Sequence, residues 1–196
     1  MNAPRGASER LKLFVDLLLH WNRSVNLISR ADEALVWERH VADAQQLVRL
    51  IPKDIERAVD LGSGGGFPGL VLAIETGIRF DLIEADHRKA AFLREAARRV
   101  SAPVSVHVSR IETARVAPAP LVTARALAPL PRLLELSVRF LAPGGLCIFP
   151  KGTNANIELT TSSTEWHMRV EQVPSLTAQG AVILCLSGIT RANAEP

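Results

Sequence analysis

The stretch from Gly62 to Gly69 holds five of the chain's 12 glycines within eight positions. Glycine loses more conformational freedom on folding than any other residue, so a cluster this dense indicates main chain that lies directly against a ligand. A short apolar run that includes Asp60 precedes the cluster, and Pro68 stands where a new helix can begin. The stretch therefore predicts a ligand-binding turn between a strand and a helix.

Two phosphate-binding motifs explain this turn poorly. A P-loop requires Gly-Lys-Ser/Thr at its end, whereas Gly69 is followed by leucine and valine. The dinucleotide pattern Gly-x-Gly-x-x-Gly fails at Phe67 when it is read from Gly62. A register that starts at Gly64 does match, but it begins three residues beyond the strand and gives only weak support.

S-adenosylmethionine is the third candidate ligand, and it carries no phosphate. Its sulfonium is cationic, so a carboxylate such as Asp60 at the end of the strand suits it electrostatically. Glu84 ends the next predicted strand, about 20 residues beyond the loop, where a carboxylate can accept both ribose hydroxyls. NAD would use the same acid, so Glu84 supports a nucleoside without choosing between the two. Gly64 and Glu84 are predicted cofactor-binding residues.

Two further turns open on the same predicted edge of the sheet. Ser109-Arg110-Ile111-Glu112 follows the third strand, and Arg125 follows the fourth. Ile111 is placed to line an adenine slot. Glu112 either faces the exocyclic amine of adenine or is an ordinary acid in the first turn of a short helix, and its spacing leaves both interpretations open.

The elements that must position these residues alternate along the chain. Strands are predicted at 58–61, 80–85, 104–108, 121–124 and 146–150, with helices at 68–76, 88–100 and 130–141. Residues 142–145 are interpreted as the signal that stops the last helix. Two later runs, 167–173 and 181–189, predict a terminal antiparallel hairpin. This order is typical of an α/β fold with a mostly parallel sheet.

Two helices are predicted ahead of the first strand, over 8–21 with Ser8 as N-cap and over 32–50. They are interpreted as a cap, residues 1–52, on a core formed by 57–196. The full length of 196 residues then forms a single domain.

Composition narrows the class and the location. No apolar run approaches the roughly 20 residues that cross a bilayer, and no signal-peptide pattern precedes Arg10, so a cytoplasmic monomer without membrane contact is the expectation. The net charge is +3, and only four of the 23 basic residues are lysines. Arginine suits forked contacts to phosphate or guanine, although codon bias is the favoured explanation of the composition by itself.

The cysteines and histidines indicate no metal or disulfide framework. Cys147 and Cys185 both lie in strand-like apolar runs and are predicted to be buried thiols. The five histidines are dispersed without metal-ligand spacing, so no metal site is expected.

A set of motifs, in this order, covers nearly the whole chain: Trp21-Asn22-Arg23-Ser24-Val25-Asn26-Leu27-Ile28-Ser29, Arg39-His40-Val41-Ala42-Asp43, the loop through Gly69, Glu84, Arg88-Lys89, Phe92-Leu93, Ser109-Arg110-Ile111-Glu112, Ala124-Arg125-Ala126 and Pro150-Lys151-Gly152. The set resembles the RsmG (GidB) methyltransferases, which modify N7 of one guanine in bacterial 16S ribosomal RNA. Departures are small: three consecutive glycines in the loop, Glu84 where aspartate is commoner, and a short C-terminal section.

The resemblance implies a Rossmann-like, S-adenosylmethionine-dependent methyltransferase with a seven-stranded, mostly parallel sheet and an N-terminal helical cap. It implies 16S ribosomal RNA, the small subunit or an assembly intermediate as partner. Cofactor contacts are implied at Gly62, Phe67, Ile111, Glu112 and Arg125. Contacts to RNA are implied at Arg88, Arg110, Arg125 and Lys151, and Lys89 is added because it lies at the same end of its predicted helix.

Methylation at N7 requires little acid–base catalysis from side chains. Guanine N7 has a lone pair and no proton to lose, so no general base is expected and no catalytic residue is assigned. The turn after the fourth strand lacks the Asn/Asp-Pro-Pro-aromatic signature of enzymes that methylate exocyclic amines, and Cys147 is poorly placed as a nucleophile. Arg125 or Arg110 is expected to fork onto guanine O6 or a phosphate. His40 and Asp43 either orient the cap or make a buried polar contact.

Three other functions compete with this interpretation. A small-molecule methyltransferase on the same fold would want an apolar pocket and fewer basic residues at the strand ends. A nicotinamide-linked reductase would want a catalytic tyrosine, and this chain contains none. A non-enzymatic RNA-binding scaffold would not need Gly62, Glu84 and Arg125 together.

Overall fold

A computed structural model describes residues 6–192 and contains one seven-stranded sheet. The strands are β1 Arg57–Leu61, β2 Arg79–Glu84, β3 Val104–Val108, β4 Ala119–Ala124, β5 Leu141–Lys151, β6 Trp166–Pro174 and β7 Val182–Arg191. Their order is β3-β2-β1-β4-β5-β7-β6. Strands β1 to β5 pair in parallel, whereas β7 pairs antiparallel with β5 and β6. The α/β class, the mostly parallel sheet and the terminal hairpin are confirmed.

Helices cover both faces of this sheet. They are α1 Ala7–Asn22, α2 Ala42–Gln45, α3 Gly69–Thr76, α4 His87–Val100, α5 Leu130–Ser137 and α6 Ala155–Ser162. Residues of α1, α3 and α4 form one hydrophobic cluster against the sheet, and those of α5 form a second cluster on the opposite face. Burial on both faces explains why β1 reads as an apolar run rather than an alternating one.

The first helix of the cap is fastened to the core by aromatic side chains. Phe14 of α1 is fully buried, 5.4 Å from Phe67 of the glycine loop and 6.2 Å from Phe92 of α4 between ring centroids. The N-cap is Gly6, not Ser8, which lies inside the first turn. Cap and core therefore share one hydrophobic cluster in the described part of the chain.

The second predicted cap helix, over 32–50, is wrong as a continuous element. The segment consists of a 3-10 helix at Arg30–Leu35, a π-helical turn at Trp37–Val41, the short α2 and a 3-10 turn at Val48–Leu50. Polar side chains in this segment bond to each other and to the core. These contacts override a helical pattern of apolar residues, and π turns of this kind recur at functional sites.

The region around β5 also departs from the prediction. Helix α5 ends at Ser137, and residues 142–145 belong to the start of β5 rather than to a helix stop. The pairing of β4 with β5 shifts register here, so β5 contains an irregular insertion. Its Pro-Gly-Gly sequence is typical of a turn, which is why the strand was predicted to begin later. Helix α6 was not predicted, because its apolar residues do not follow a helical period.

The carboxyl ends of the parallel strands meet at one edge of the sheet, where the strand order reverses between β1 and β4. The glycine loop leaves β1 at this point, which is where open α/β sheets bind ligands. Within residues 6–192, every helix is too short or too polar to cross a bilayer. Cys147 and Cys185 are buried free thiols, as predicted.

Candidate active site

The glycine loop is shaped by backbone that other residues rarely adopt. Gly62, Gly64 and Gly66 have φ angles of +65°, +52° and +94°, in the left-handed region that favours glycine. The amides of Gly62 and Ser63 donate to the carbonyl of Ile83 at 2.9 and 3.1 Å, which ties the loop to the end of β2. The loop is thus a fixed cradle of main chain.

Glu84 lies beside this cradle, where the sequence placed it. Its carboxylate accepts from the backbone amides of Gly64 and Asp86, both at 2.8 Å, and the residue is only 9% exposed. A carboxylate has about four acceptor positions, so two amides leave room for hydroxyl donors. The predicted ribose contact of Glu84 is compatible with this geometry and remains a prediction.

Asp60 is fully buried under the loop. Its Oδ1 accepts from Thr123 Oγ1 at 2.6 Å, while Oδ2 has no partner with hydrogen-bond geometry in the described residues. Burial raises the pKa of this carboxyl to about 6, against hydrogen bonds that lower it. A buried acid with an unsatisfied oxygen beneath the cradle is suited to a cationic ligand, as the sequence suggested.

The ring of Phe67 joins the loop to the cap. It is 5% exposed and stacks on the imidazole of His40, with 5.0 Å between centroids. The guanidinium of Arg125 lies over the same ring at 5.2 Å. Because its ring is enclosed, Phe67 can meet a cofactor mainly through its backbone.

Arg125 is held by three groups of the cap. Its Nη1 donates to Asp43 Oδ2 at 3.0 Å and to the Arg39 carbonyl at 3.2 Å, and its Nη2 donates to His40 Nδ1 at 2.7 Å. Burial, followed by the charge of Arg125, lowers the pKa of His40, so the neutral imidazole accepts this bond at neutral pH. The predicted role of His40 and Asp43 is thereby specified: both bind Arg125.

Arg125 also lines a pocket of about 350 Å³. Its walls come from the cap, from the ends of β4 and β5, and from the loop between β6 and β7. Gln46 fixes that loop: its Nε2 donates to Thr177 Oγ1 at 3.0 Å and its Oε1 accepts from the Leu176 amide at 2.8 Å. The loop between β6 and β7 therefore forms one wall of the pocket, and Gln46 holds it in place.

Lys151 lines this pocket, but its ammonium is already paired. Its Nζ lies 2.6 Å from Glu158 Oε2 and donates to the Ala128 carbonyl at 3.0 Å, and its side chain is 10% exposed. Lys151 could therefore contact RNA only through a nucleotide that enters the pocket, and this contact remains a prediction.

The residues after β3 divide between two environments. Ile111 is 9% exposed and packs in the second hydrophobic cluster, which suits the edge of an adenine slot. The carboxylate of Glu112 pairs with Arg132 of α5 at 2.7 Å. This contact agrees with the interpretation of Glu112 as an ordinary acid in the first turn of a short helix. A contact of Glu112 with the cofactor remains a prediction. Arg110 is exposed.

The basic residues at the start of α4 lie on the rim of the site. Asp86 caps the helix by accepting from the amides of Arg88 and Lys89 at 2.8 and 3.0 Å. The Arg88 guanidinium donates to the Ser24 carbonyl in the cap. Arg88 is exposed and Lys89 is partly exposed, so both are accessible to a macromolecule.

The sequence reasoning missed three residues that line the pocket, Glu158, Ser175 and Thr177, and Gln46, which holds the loop that carries two of them. Glu158 is seven residues beyond Lys151, and no periodic signal marks the helix that carries it. Among residues 6–192, no group of three or more His, Cys, Asp or Glu side chains is placed to hold a metal ion.

Comparisons with known proteins agree with this geometry. Residues 7–183 match the family model GidB, rRNA small subunit methyltransferase G. Two similar relatives carry the name ribosomal RNA small subunit methyltransferase G. The one from Granulibacter bethesdensis is 51% identical over 95% of this chain and 88% of its own, and the one from Rhodospirillum centenum is 52% identical over 94% and 86%.

Solved structures agree with the fold. An O-methyltransferase from Bacillus cereus in complex with SAH superposes with a TM-score of 0.59 at 16% identity, covering 89% of this chain and 90% of its own. The predicted Rossmann-like methyltransferase fold is confirmed. With a family match over most of its length and relatives at half identity, the chain belongs to the family of small-subunit ribosomal RNA methyltransferases G.

Proposed function

We propose that this enzyme transfers a methyl group from S-adenosyl-L-methionine to N7 of a guanine in 16S ribosomal RNA of the small subunit. The observation that carries the proposal is the placement of Arg125. One side of its guanidinium lies over Phe67 of the glycine loop, and it also lines the 350 Å³ pocket. The glycine loop and the pocket therefore meet at Arg125, so a base that enters the pocket lies next to the proposed place of the methyl donor.

The cradle fits the methyl donor at its polar ends. The open backbone of Gly62 and Gly64, the carboxylate of Glu84 and the apolar side chain of Ile111 form the proposed cofactor contacts. When bound, the cofactor supplies an electrophilic methyl on a cationic sulfur. Buried Asp60 lies beneath the loop, and its negative charge favours a cation there.

The chain needs no general base for this reaction, because N7 carries a free lone pair. Burial raises the pKa of Cys147, so its thiol stays protonated and supplies no nucleophile. The catalytic contribution of the protein is then alignment of the base with the donor. Proximity and orientation of this kind are worth roughly 7–11 kcal/mol.

Arg125 has donors left for the base. A guanidinium carries five N–H groups. The contacts to Asp43, Arg39 and His40 use three of them. The remaining hydrogens, one on Nη2 and one on Nε, are available for guanine O6 or a flanking phosphate. We assign Arg125 this role in place of a fork that uses both terminal nitrogens.

Exposed basic residues around the site are the proposed RNA contacts. Arg88, Lys89 and Arg110 lie at the ends of β2 and β3, beside the cofactor loop. N7 lies in the deep, narrow major groove of an RNA helix, which side chains read poorly. The proposed target is therefore a guanine that is unpaired or in a loop, presented by naked RNA, a subunit or an assembly intermediate.

The test is to map 7-methylguanosine in 16S RNA from a strain that lacks the gene. We expect one guanine to lose its N7 methyl, and purified protein with radiolabelled S-adenosylmethionine to restore it. Transfer to an exocyclic amine, or to small molecules only, would contradict the proposal. Titration with NAD tests the reductase alternative. We further propose a monomeric, single-domain enzyme, which light scattering and a single unfolding transition would support.

A further inference from the structure

The pocket beside Arg125 contains two carboxylates, and only one of them has a free oxygen. Asp43 Oδ1 accepts from Gln46 and Thr177, both at 2.8 Å, and Oδ2 accepts from Arg125. Both oxygens of Asp43 therefore already have protein donors. Glu158 is different, because all of its contacts within residues 6–192 fall on Oε2.

Glu158 Oε2 accepts a hydrogen bond from the Leu130 amide at 2.6 Å. The same oxygen forms an ion pair with Lys151 Nζ, also at 2.6 Å. These two donors fix the plane of the carboxylate from behind. Oε1 has no hydrogen-bond partner in the described residues and is not among their buried, unsatisfied atoms. The side chain is 22% exposed and lines the pocket. Oε1 is thus an oriented acceptor that a pocket ligand can reach.

The chemistry of the target base matches such an acceptor. Guanine carries two donors on its Watson–Crick edge, N1–H and the 2-amino group, whereas adenine carries an unprotonated N1 there. Adenine also has an N7, so alignment of N7 alone does not distinguish the two purines. N7 lies on the opposite edge of the base. A guanine held by its Watson–Crick edge therefore leaves N7 free to react.

We propose that Glu158 is the residue that selects guanine, by accepting hydrogen bonds from N1–H and the 2-amino group of the target base. The proposal rests on the proposed function, because it assumes that the base enters this pocket. Lys151 and the Leu130 amide are positioning groups that hold the carboxylate in this orientation. An adenine would place its N1 lone pair against this negative oxygen, which is repulsive.

The test compares short RNAs of one sequence with guanosine, inosine or adenosine at the target position. Inosine keeps N7, O6 and N1–H but lacks the 2-amino group. Wild-type protein should methylate guanosine about tenfold or more faster in kcat/KM than inosine, because one hydrogen bond to a charged group is lost. In Glu158→Gln, the Lys151 and Leu130 donors hold the amide oxygen, so its NH₂ faces the pocket and the guanosine-to-inosine ratio should fall to about 1.

Glu165→Gln is the matched control, because Glu165 pairs with Arg191 outside the pocket. It should keep the wild-type ratio. A wild-type ratio near 1, or an unchanged ratio in Glu158→Gln, would overturn the assignment whatever the absolute rates. If Glu158→Gln is too slow to time, the affinities of the same RNAs give the ratio. Absence of 7-methylguanosine in every RNA with wild-type protein would instead overturn the proposed function, and this inference with it.

Discussion

Gly69 lies directly on the side chain of Asp60. A Cβ added at Gly69 would stand 2.6 Å from Asp60 Cβ and 2.7 Å from its Oδ2, closer than real atoms approach. The last glycine of the loop is therefore required for close packing of the first turn of α3 onto the buried acid, whereas Gly62, Gly64 and Gly66 are required for their backbone conformation.

Gly69→Ala should consequently lower the free energy of unfolding by about 2 kcal/mol, the usual cost of overpacking a buried site. Denaturant unfolding measures this change. Gly152→Ala is the control, because a Cβ at Gly152 meets nothing within 4 Å. Equal stability of the two variants would show that the contact with Asp60 relaxes freely.

Asp60 should give the protein a pH-dependent stability. Its pKa is raised from 3.8 to about 6 by burial, so between these values the folded state binds a proton that the unfolded state has lost. The free energy of unfolding should therefore fall by about 3 kcal/mol as pH rises from about 4 to about 6, and stay level above that range. Asp60→Asn should lack this decline. Parallel pH profiles for the two proteins would assign the dependence to other groups.

Arg125→Ala should reduce kcat for RNA methylation by about 100-fold while the protein stays folded, because the base loses both a donor and the wall that positions it. Asp43→Asn removes the charge and leaves one acceptor oxygen, which can accept from Arg125 or from Gln46 and Thr177 but not from both sides, so a smaller loss of about tenfold is expected. Circular dichroism checks that both variants are folded. Activity of Arg125→Ala at the wild-type level would remove Arg125 from the site.

Gln46→Ala should release the hairpin loop without affecting the cofactor side. We expect KM for RNA to rise about tenfold and the dissociation constant of S-adenosylmethionine to stay unchanged. Within residues 6–192, the side chain of Gln46 hydrogen-bonds only to Asp43 and to the loop residues Ser175, Leu176 and Thr177. Steady-state kinetics and cofactor titration measure the two quantities. Gln45→Ala is the neighbouring control, since Gln45 bonds to Glu75 on α3. A matching rise in KM for both variants would contradict a specific role of the loop.

The cofactor half of the site could be predicted because its signals are local. The run of glycines follows β1, Glu84 ends β2 and Arg125 follows β4. In a parallel sheet the carboxyl ends of these strands lie at the same edge, so the three features are brought together. Glu84 was placed correctly on this basis, and its bond to the Gly64 amide follows from the same geometry.

The other half depends on contacts between distant segments. Arg125 meets Asp43 across 82 positions, and Leu176 meets Gln46 across 130. No spacing rule reveals which polar residue will satisfy which partner at such separations. The broken cap helix has the same cause, because its conformation is selected by tertiary bonds rather than by local propensity. Helix α6 was missed for a different reason, since its apolar residues follow no helical period.

The bond between Gln46 and the hairpin loop joins the first quarter of the chain to its last, so it can form only after most of the chain has been synthesised. A ribosome making this protein completes the glycine loop, Glu84 and Arg125 well before it adds Ser175. We expect the growing chain to acquire its place for the methyl donor first and the closing wall of its base pocket last. Selectivity for RNA is then a property that only the finished chain possesses.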